Sequence, residues 1–144
     1  MKTFTEYLTE EPQHPFRQGA AYKINNSVEQ AQAEKLFMWA EHAYGARVPM
    51  PEFWIVGHGH MQDTAKHVEC FNEINGQVFG WFKKEFPDRI FISDKVKMTN
   101  KNARAIIVHE LIHYIQYHAE SKLESIDELE AEADLYMDQY IKSA

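Results

Sequence analysis

Residues 109–113 read His-Glu-Leu-Ile-His, a spacing that can bind a metal ion and activate a water molecule. Four residues along a helix turn the side-chain direction by about 400°, so His109 and His113 project from one face. Their imidazoles can then bind one zinc ion at about 2.0–2.1 Å. Glu110 lies about 100° around the helix from His109, where it can take a proton from the activated water without ligating the metal.

The element that must carry these side chains is a helix predicted over residues 101–118, capped by Thr99 or Asn100. Apolar residues surround the motif on almost every side of this helix, which predicts that it is buried. They are Ala105, Ile106, Ile107, Val108, Leu111, Ile112 and Ile115. Two histidines and a glutamate in a buried helix need polar or metal partners.

A third ligand is expected on the next helix, predicted from about Asp127 to Lys142. On a helical wheel Glu130 falls inside the apolar face of that helix, while Glu132 and Asp134 lie at its borders. A carboxylate on a core-facing surface favours a bound cation. Glu130 is therefore the predicted third ligand and Glu132 the alternative, with water at the fourth position.

With these motifs in view, the chain resembles the gluzincins, the thermolysin-like clan of zinc peptidases. That clan has H-E-x-x-H on one helix and a glutamate on the next, written E-x-x-A or E-x-x-x-D. Glu130, Ala133 and Asp134 fit both forms, and the match covers about residues 89–141. The chain is also similar to small phage and bacterial metallopeptidase-like domains with H-E-L-x-H followed by E-x-E-A.

The resemblance implies further roles. Asp134 would orient His109 or His113 through a hydrogen bond. The family supplies a late Tyr or His to stabilise an oxyanion, for which Tyr136 and Tyr140 are the first choices. Tyr117 and His118 are further choices, and for all four an ordinary packing or surface role is the competing interpretation. The strand predicted at 89–93 would be an edge strand that pairs with extended substrate.

The remaining pattern predicts an α+β chain of minimal zincin type, with a small mixed or antiparallel sheet. Residues 1–26 are interpreted as a loosely ordered N-terminal arm, and residues 27–144 as a single domain. Ser27 is expected to open the first helix, with Gln30 as its capping-box partner and Gly45 after its end. The predicted strands are 53–57, 67–74, 77–83 and 89–93, with a hairpin turn at Asn75-Gly76.

Composition narrows the classes of function. The 144 residues carry a net charge of −7 and no Lys/Arg-rich run, which argues against nucleic-acid and anionic-membrane partners. There is one cysteine, and neither a signal-peptide pattern nor a membrane-length apolar stretch occurs, so a soluble cytoplasmic protein is expected. The net charge mildly favours neutral or basic substrates, and the oligomeric state is left open.

Two further segments have alternative interpretations. His58-Gly59-His60 is expected to be a flexible turn with a surface role, the alternative being a second metal site or a substrate contact. Residues 1–10 are similar to capsid-targeting segments of tailed-phage internal proteins, in which cleavage would follow Leu8-Thr9-Glu10. A phage-encoded protein in the host cytoplasm or the virion is one interpretation, and an ordinary amphipathic terminus is the other.

The functional hypothesis is a zinc metallopeptidase in which Glu110 acts as general base and then acid on a peptide or protein substrate. A host protein, a phage structural protein and a peptidoglycan stem peptide are alternative substrates. The rival hypothesis is a non-catalytic module in which zinc staples two helices, such as a phage inhibitor or virion component. A purely structural site would not need Glu110 beside the first histidine.

Overall fold

The computed structural model describes residues 21–65, 73–74 and 77–143. Within this part the chain is α+β, with four helices and a small mixed sheet. The predicted strand residues 67–72, the Asn75-Gly76 turn and the segment similar to capsid-targeting sequences lie outside the described residues. No helix in the described part is long and apolar enough to cross a membrane.

The three long helices lie close to their predicted positions: α1 is Ser27–Tyr44, α3 is Lys101–His118 and α4 is Ile126–Lys142. Side-chain caps fix where α3 and α4 begin. Asn100 accepts a hydrogen bond from the backbone N–H of Ala103, and the hydroxyl of Ser125 accepts one from Glu128. These caps set the start of each helix and therefore the rotation at which the candidate ligand side chains project.

The first helix begins differently from the prediction. Asn26, not Ser27, is its N-cap, because the Asn26 side chain accepts hydrogen bonds from the N–H groups of Val28 and Glu29. The expected capping box of Ser27 with Gln30 is therefore wrong. The helix ends as predicted at Gly45, whose φ of 83° lies in the left-handed region that favours glycine.

The main sheet has the order β1-β2-β6-β5, and a separate hairpin pairs β3 with β4. The strands are β1 (Ala21–Lys23), β2 (Glu52–Val56), β3 (Glu73–Ile74), β4 (Gln77–Val78), β5 (Gly80–Trp81) and β6 (Arg89–Ser93). Strand β6 runs parallel to β2 and antiparallel to β5, and β1 runs antiparallel to β2. The sheet is therefore mixed, one of the two alternatives that the pattern allowed.

The two faces of the sheet pack into two apolar clusters. Ile90 and Ile92 of β6 face the main core, where α1, α3 and α4 pack, whereas Phe91 faces a smaller cluster with Val56 and Met61. This alternation along β6 was predicted from the sequence. Because α3 is covered by the sheet on one side and by α1 and α4 on others, most of its side chains are buried.

Two segments form elements that the sequence pattern did not predict. Residues Ala21–Lys23, assigned to the loose arm, pair with β2 as an edge strand, so the folded part begins before residue 27. Residues His58–Ala65, expected to begin as a flexible turn, form the short helix α2. Three residues are too few for a period-2 signal, and the Gly57 and Gly59 pair favours a turn.

Candidate metal centre

Three donor groups from α3 and α4 converge at one point. The Nε2 atoms of His109 and His113 lie 3.1 Å apart. The carboxylate of Glu130 reaches both, with Oε2 at 3.2 Å from His109 Nε2 and Oε1 at 2.7 Å from His113 Nε2. The predicted third ligand is thus the carboxylate that meets both imidazoles.

The donor set fits a zinc ion. Tetrahedral coordination with bonds of about 2.0–2.1 Å places the donor atoms roughly 3.3 Å from one another. Two of the three observed separations, 3.1 and 3.2 Å, are within a few tenths of an ångström of that value. The third, 2.7 Å from His113 Nε2, is shorter and is made by the other oxygen of the Glu130 carboxylate. Two imidazole nitrogens and one carboxylate oxygen are also the donor types that zinc prefers in sites that keep a fourth position for water.

The outer nitrogen of each imidazole has its own polar partner. His109 Nδ1 lies 3.1 Å from Asp134 Oδ1, as the sequence suggested. His113 Nδ1 lies 2.8 Å from Gln116 Oε1, a partner that the sequence analysis missed. With Nδ1 engaged in this way, Nε2 is the nitrogen that each ring directs to the centre.

Gln116 also explains where Glu132 lies. The amide Nε2 of Gln116 donates to the backbone oxygen of Leu129 at 3.0 Å and to Glu132 Oε1 at 3.1 Å. Its Oε1 is therefore the atom that accepts from His113. Glu132, the alternative third ligand, contacts the site only through Gln116. The spacing of Gln116, three residues after His113, was the available signal, since such side chains lie side by side on a helix.

Glu110 is buried beside strand β5, with 1% of its surface exposed. Its Oε2 accepts a hydrogen bond of 2.9 Å from the backbone N–H of Phe82. A Cβ atom on Gly80 would lie only 3.0 Å from Glu110 Cγ, so the strand passes this close because residue 80 is glycine. Burial raises the pKa of Glu110, and the two imidazoles oppose that effect.

The histidine–glutamate contacts shift two further pKa values. Burial would raise the pKa of Glu130, but hydrogen bonds from His109 and His113 outweigh it and lower the value to about 2. Burial would lower the pKa of His113, but its hydrogen bonds to Glu130 and Gln116 and the nearby charges of Glu110 and Glu130 together outweigh that effect, and the pKa is raised. The centre therefore favours positive charge at the point where the three donors meet.

Two open pockets lie along α3, and we call them together the groove. One part, which we call the aromatic arm, has a volume of about 510 Å³ and includes His113 and Glu130. Its wall is formed by Trp81, Phe82, Lys83, Lys84, Glu85, Gln116, Tyr117, Glu120, Ser121, Leu123, Ile126 and Leu129. The other part, the lysine arm, has a volume of about 390 Å³. It is lined by Phe79, Lys95, Val96, Lys97, Asn100, Asn102, Ala103, Ile106, Met137 and Ile141.

The tyrosines expected to stabilise an oxyanion have other contacts. The hydroxyl of Tyr140 accepts a 2.8 Å hydrogen bond from Arg104 Nε, and the ring of Tyr136 packs on Tyr44 of α1. His118 Nε2 lies 2.5 Å from the carbonyl oxygen of Pro87. Tyr117, which is 48% exposed, lines the aromatic arm with His113 and is the member of this group that faces a pocket at the donors.

His58 and His60 lie apart from the three donors. The His58 ring contacts Ser93 Oγ at 2.7 Å and Gln77 Oε1 at 2.9 Å, which ties α2 to β6 and β4. Residues two apart on a helix project about 200° apart, so this segment does not bring the two imidazoles together as the alternative of a second metal site requires. Among the described residues, the group that could hold a metal is His109, His113 and Glu130.

The expected position of the edge strand is also wrong. Strand β6 is paired on both sides, with β2 and with β5, so it has no free edge for a substrate. Among the described strands, β5 is the outermost strand on this side of the main sheet, and its Gly80 lies beside Glu110. A pattern of alternating apolar residues fits a central strand as well as an edge strand, which is why the sequence did not separate the two.

Comparison with known proteins gives no relative to this chain. No protein-family model matches it, and no curated protein or solved structure is similar enough to count as a match.

Proposed function

We propose that this protein is a zinc-dependent peptidase with a minimal zincin fold, similar to the gluzincins. The observation that carries the proposal is the convergence of His109, His113 and Glu130 within hydrogen-bond distance of one another. Glu110, which follows His109 and accepts the N–H of the pocket-lining Phe82, adds the carboxylate that hydrolysis requires.

The roles of the residues follow from their contacts. His109, His113 and Glu130 would hold the ion, with Asp134 and Gln116 fixing the orientation of the two imidazoles. Zinc bound there supplies a Lewis acid that makes water more acidic and polarises a carbonyl group. Glu110 takes the proton of the attacking water and later gives it to the leaving amine. The Phe82 N–H holds the Glu110 carboxylate in place during both transfers.

A second candidate is a non-catalytic module in which zinc joins α3 to α4. One observation favours it: Glu110 is buried and bonded to the Phe82 backbone, so its carboxylate also has a structural use. The groove supports the enzyme instead, because a site that only staples two helices has no need of open space beside its ligands.

Replacing Glu110 with Gln separates the two functions. The amide oxygen of Gln can still accept the Phe82 N–H, so the fold and the metal site should persist while the base is lost. We expect zinc-loaded protein to cleave members of a diverse peptide library, with turnover reduced by about 10²-fold or more in Glu110→Gln. Cleavage products would be identified by mass spectrometry, and zinc content would be measured for both proteins.

His113→Ala provides the second control. It removes a ligand, so zinc content and turnover should fall together. Full zinc occupancy in this variant would refute the assigned site. Equal peptide cleavage by the native protein and Glu110→Gln, or none by either with zinc bound, would refute the peptidase and leave the binding module.

A further inference from the structure

On α3, the lysine arm is lined by residues that precede the His109–His113 motif, and the aromatic arm by His113 and residues that follow it. On α3, Ile106 precedes Glu110 by four residues and lines the lysine arm, while Tyr117 follows His113 by four and lines the aromatic arm. Residues four apart on a helix share a face, so both arms open on the side of α3 that carries the motif.

Helix α4 repeats this arrangement in the opposite direction. Ile126 and Glu130 line the aromatic arm, and Met137 and Ile141 line the lysine arm. These positions are separated by four, seven and four residues, a spacing that keeps them in one stripe. The contacts of His109 with Asp134 and of Gln116 with Leu129 show that α3 and α4 are antiparallel.

The strand side completes the groove. A side chain on Gly80 would contact both Ile106 and Glu110, while the ring of Phe82 lies 5.9 Å from that of Tyr117. Residues 79–85 therefore pass first the lysine arm, then the base, then the aromatic arm. A chain bound beside this strand would extend past the metal centre on both sides.

The charges of the two arms differ. In the aromatic arm Lys83 and Lys84 are balanced by Glu85 and Glu120. In the lysine arm Lys95 and Lys97 have no Asp or Glu among the described lining residues.

Asp94 and Asp138 are the sequence neighbours of two lining residues, Lys95 and Met137. Asp94 accepts the backbone N–H of His58, and Asp138 pairs with Lys142 at 2.8 Å. Within the described residues, neither Lys95 nor Lys97 forms an ion pair. The lysine arm is thus a local basic surface on a chain of net charge −7.

We propose, building on the peptidase function above, that the substrate is an extended acidic polypeptide segment cleaved at an internal bond. Its large apolar side chains would occupy both arms, and a carboxylate on one side of the cleaved bond would lie against Lys95 and Lys97. This differs from the preference for neutral or basic substrates suggested by the net charge. The local charge of the lysine arm should determine the substrate preference, because exposed charges beyond about 8–10 Å are largely screened at physiological salt.

The test maps cleavage sites in a library of peptides from a digested proteome, using full-length zinc-loaded protein with Glu110→Gln as blank. We expect internal cuts flanked by large apolar residues, with Asp or Glu enriched on one side only. Cuts confined to chain ends, or internal cuts without acidic enrichment, would overturn this inference while leaving the peptidase intact. Absence of any cut beyond the blank would overturn the peptidase itself.

Charge reversal tests the lysine arm directly. For one cleaved acidic peptide and its Gln-substituted analogue, the ratio of kcat/KM values should fall by about tenfold in Lys95→Glu/Lys97→Glu. The matched control is Lys35→Glu/Arg47→Glu, which makes the same charge change at exposed positions outside the groove and should leave the ratio unchanged. Zinc content and circular dichroism would verify that each variant is folded. An equal change in both double variants, or no change in either, would overturn the role of the lysine arm.

Discussion

Each imidazole in the centre is held by a hydrogen bond on the nitrogen that faces away from the other ring. Asp134 holds His109 with a carboxylate, whereas Gln116 holds His113 with a neutral amide that is itself anchored to Leu129 and Glu132. Gln116 is 3% exposed, so water has little access to replace it. The orientation of His113 therefore depends on one buried side chain.

Replacing Gln116 with Leu should weaken zinc binding by about 10- to 100-fold, because His113 loses the partner that fixes its tautomer and ring orientation. Competition with a chromophoric chelator measures the change in Kd. Gln139→Leu, on the exposed side of α4, makes the same substitution away from the centre and should bind zinc normally. An unaltered Kd in Gln116→Leu would show that His113 is positioned by something else.

The stability of metal-free protein should depend on pH through the contact between His113 and Glu130. The pKa of Glu130 is lowered from 4.5 to about 2, so its contribution is present above pH 4.5 and is lost as the pH falls towards 2. The pKa of His113 is raised above 6.5, so its contribution is present below pH 6.5 and is lost as the pH rises through the raised value. The two ranges overlap between pH 4.5 and pH 6.5.

We therefore expect the contact between His113 and Glu130 to raise the melting temperature of chelator-treated protein most between pH 4.5 and pH 6.5. In Glu130→Gln, the decreases in stability that this contact causes below pH 4.5 and above pH 6.5 should both be absent. Differential scanning calorimetry across pH measures this. If the variant and the native protein showed parallel profiles, the contact would contribute nothing to stability.

At the scale of elements, strand β5 positions Glu110, the proposed base, beside the proposed metal ligands. Gly80→Ala would place a methyl group 3.0 Å from Glu110 Cγ, closer than ordinary carbon contacts, so the Glu110 side chain must move. A contact of this length requires a shift of a few tenths of an ångström, and a displacement near 1 Å in a catalytic group costs about 10²-fold in rate. We therefore expect kcat to fall by roughly three- to tenfold while zinc content stays unchanged.

Gly59→Ala is the matched control for this substitution. A Cβ atom on Gly59 would meet no atom within 4 Å, so the variant should retain its activity. Comparable losses in both variants would mean that the effect of Gly80→Ala is not local to Glu110.

The sequence predicted the long elements better than the short ones. Helices α1, α3 and α4 have enough turns for caps and apolar periodicity to be recognised, and each lies within a residue or two of its expected range. Strand β1 has three residues and depends on pairing with β2, which no local pattern encodes. The central position of β6 depends on the order of strands, which is likewise a tertiary property.

The same distinction applies within the candidate site. The convergence of Glu130 on the two histidines could be predicted, because a helical wheel of α4 places Glu130 within its apolar face. The separation of Glu132 from the centre could not, since it depends on Gln116 reaching across from α3. The contact of Glu110 with Phe82 joins residues 28 apart in sequence and required the fold.

At the scale of the whole molecule, zinc would link the last two helices of the chain to each other. A ligand that binds only folded protein stabilises it by about 4 kcal/mol at a thousand times its Kd. For a chain of this size that corresponds to a rise in Tm of roughly 10 °C. Thermal melts with saturating zinc, and again after adding chelator, test this. His113→Ala should show little or no rise, and an equal rise in that variant would place the bound zinc elsewhere.

The helix pair is held on both sides of the metal centre by contacts between protein groups alone. Arg104 bonds to Tyr140, and Lys101 to the backbone of Ser143, at one end, while Gln116 bonds to Leu129 at the other. The ligands are therefore pre-assembled, unlike sites that form only when a peptide folds around its ion. Metal uptake should bury little additional apolar surface, so calorimetric titrations at several temperatures should give a heat-capacity change close to zero. A large negative value would mean that the helices close together only as the metal enters.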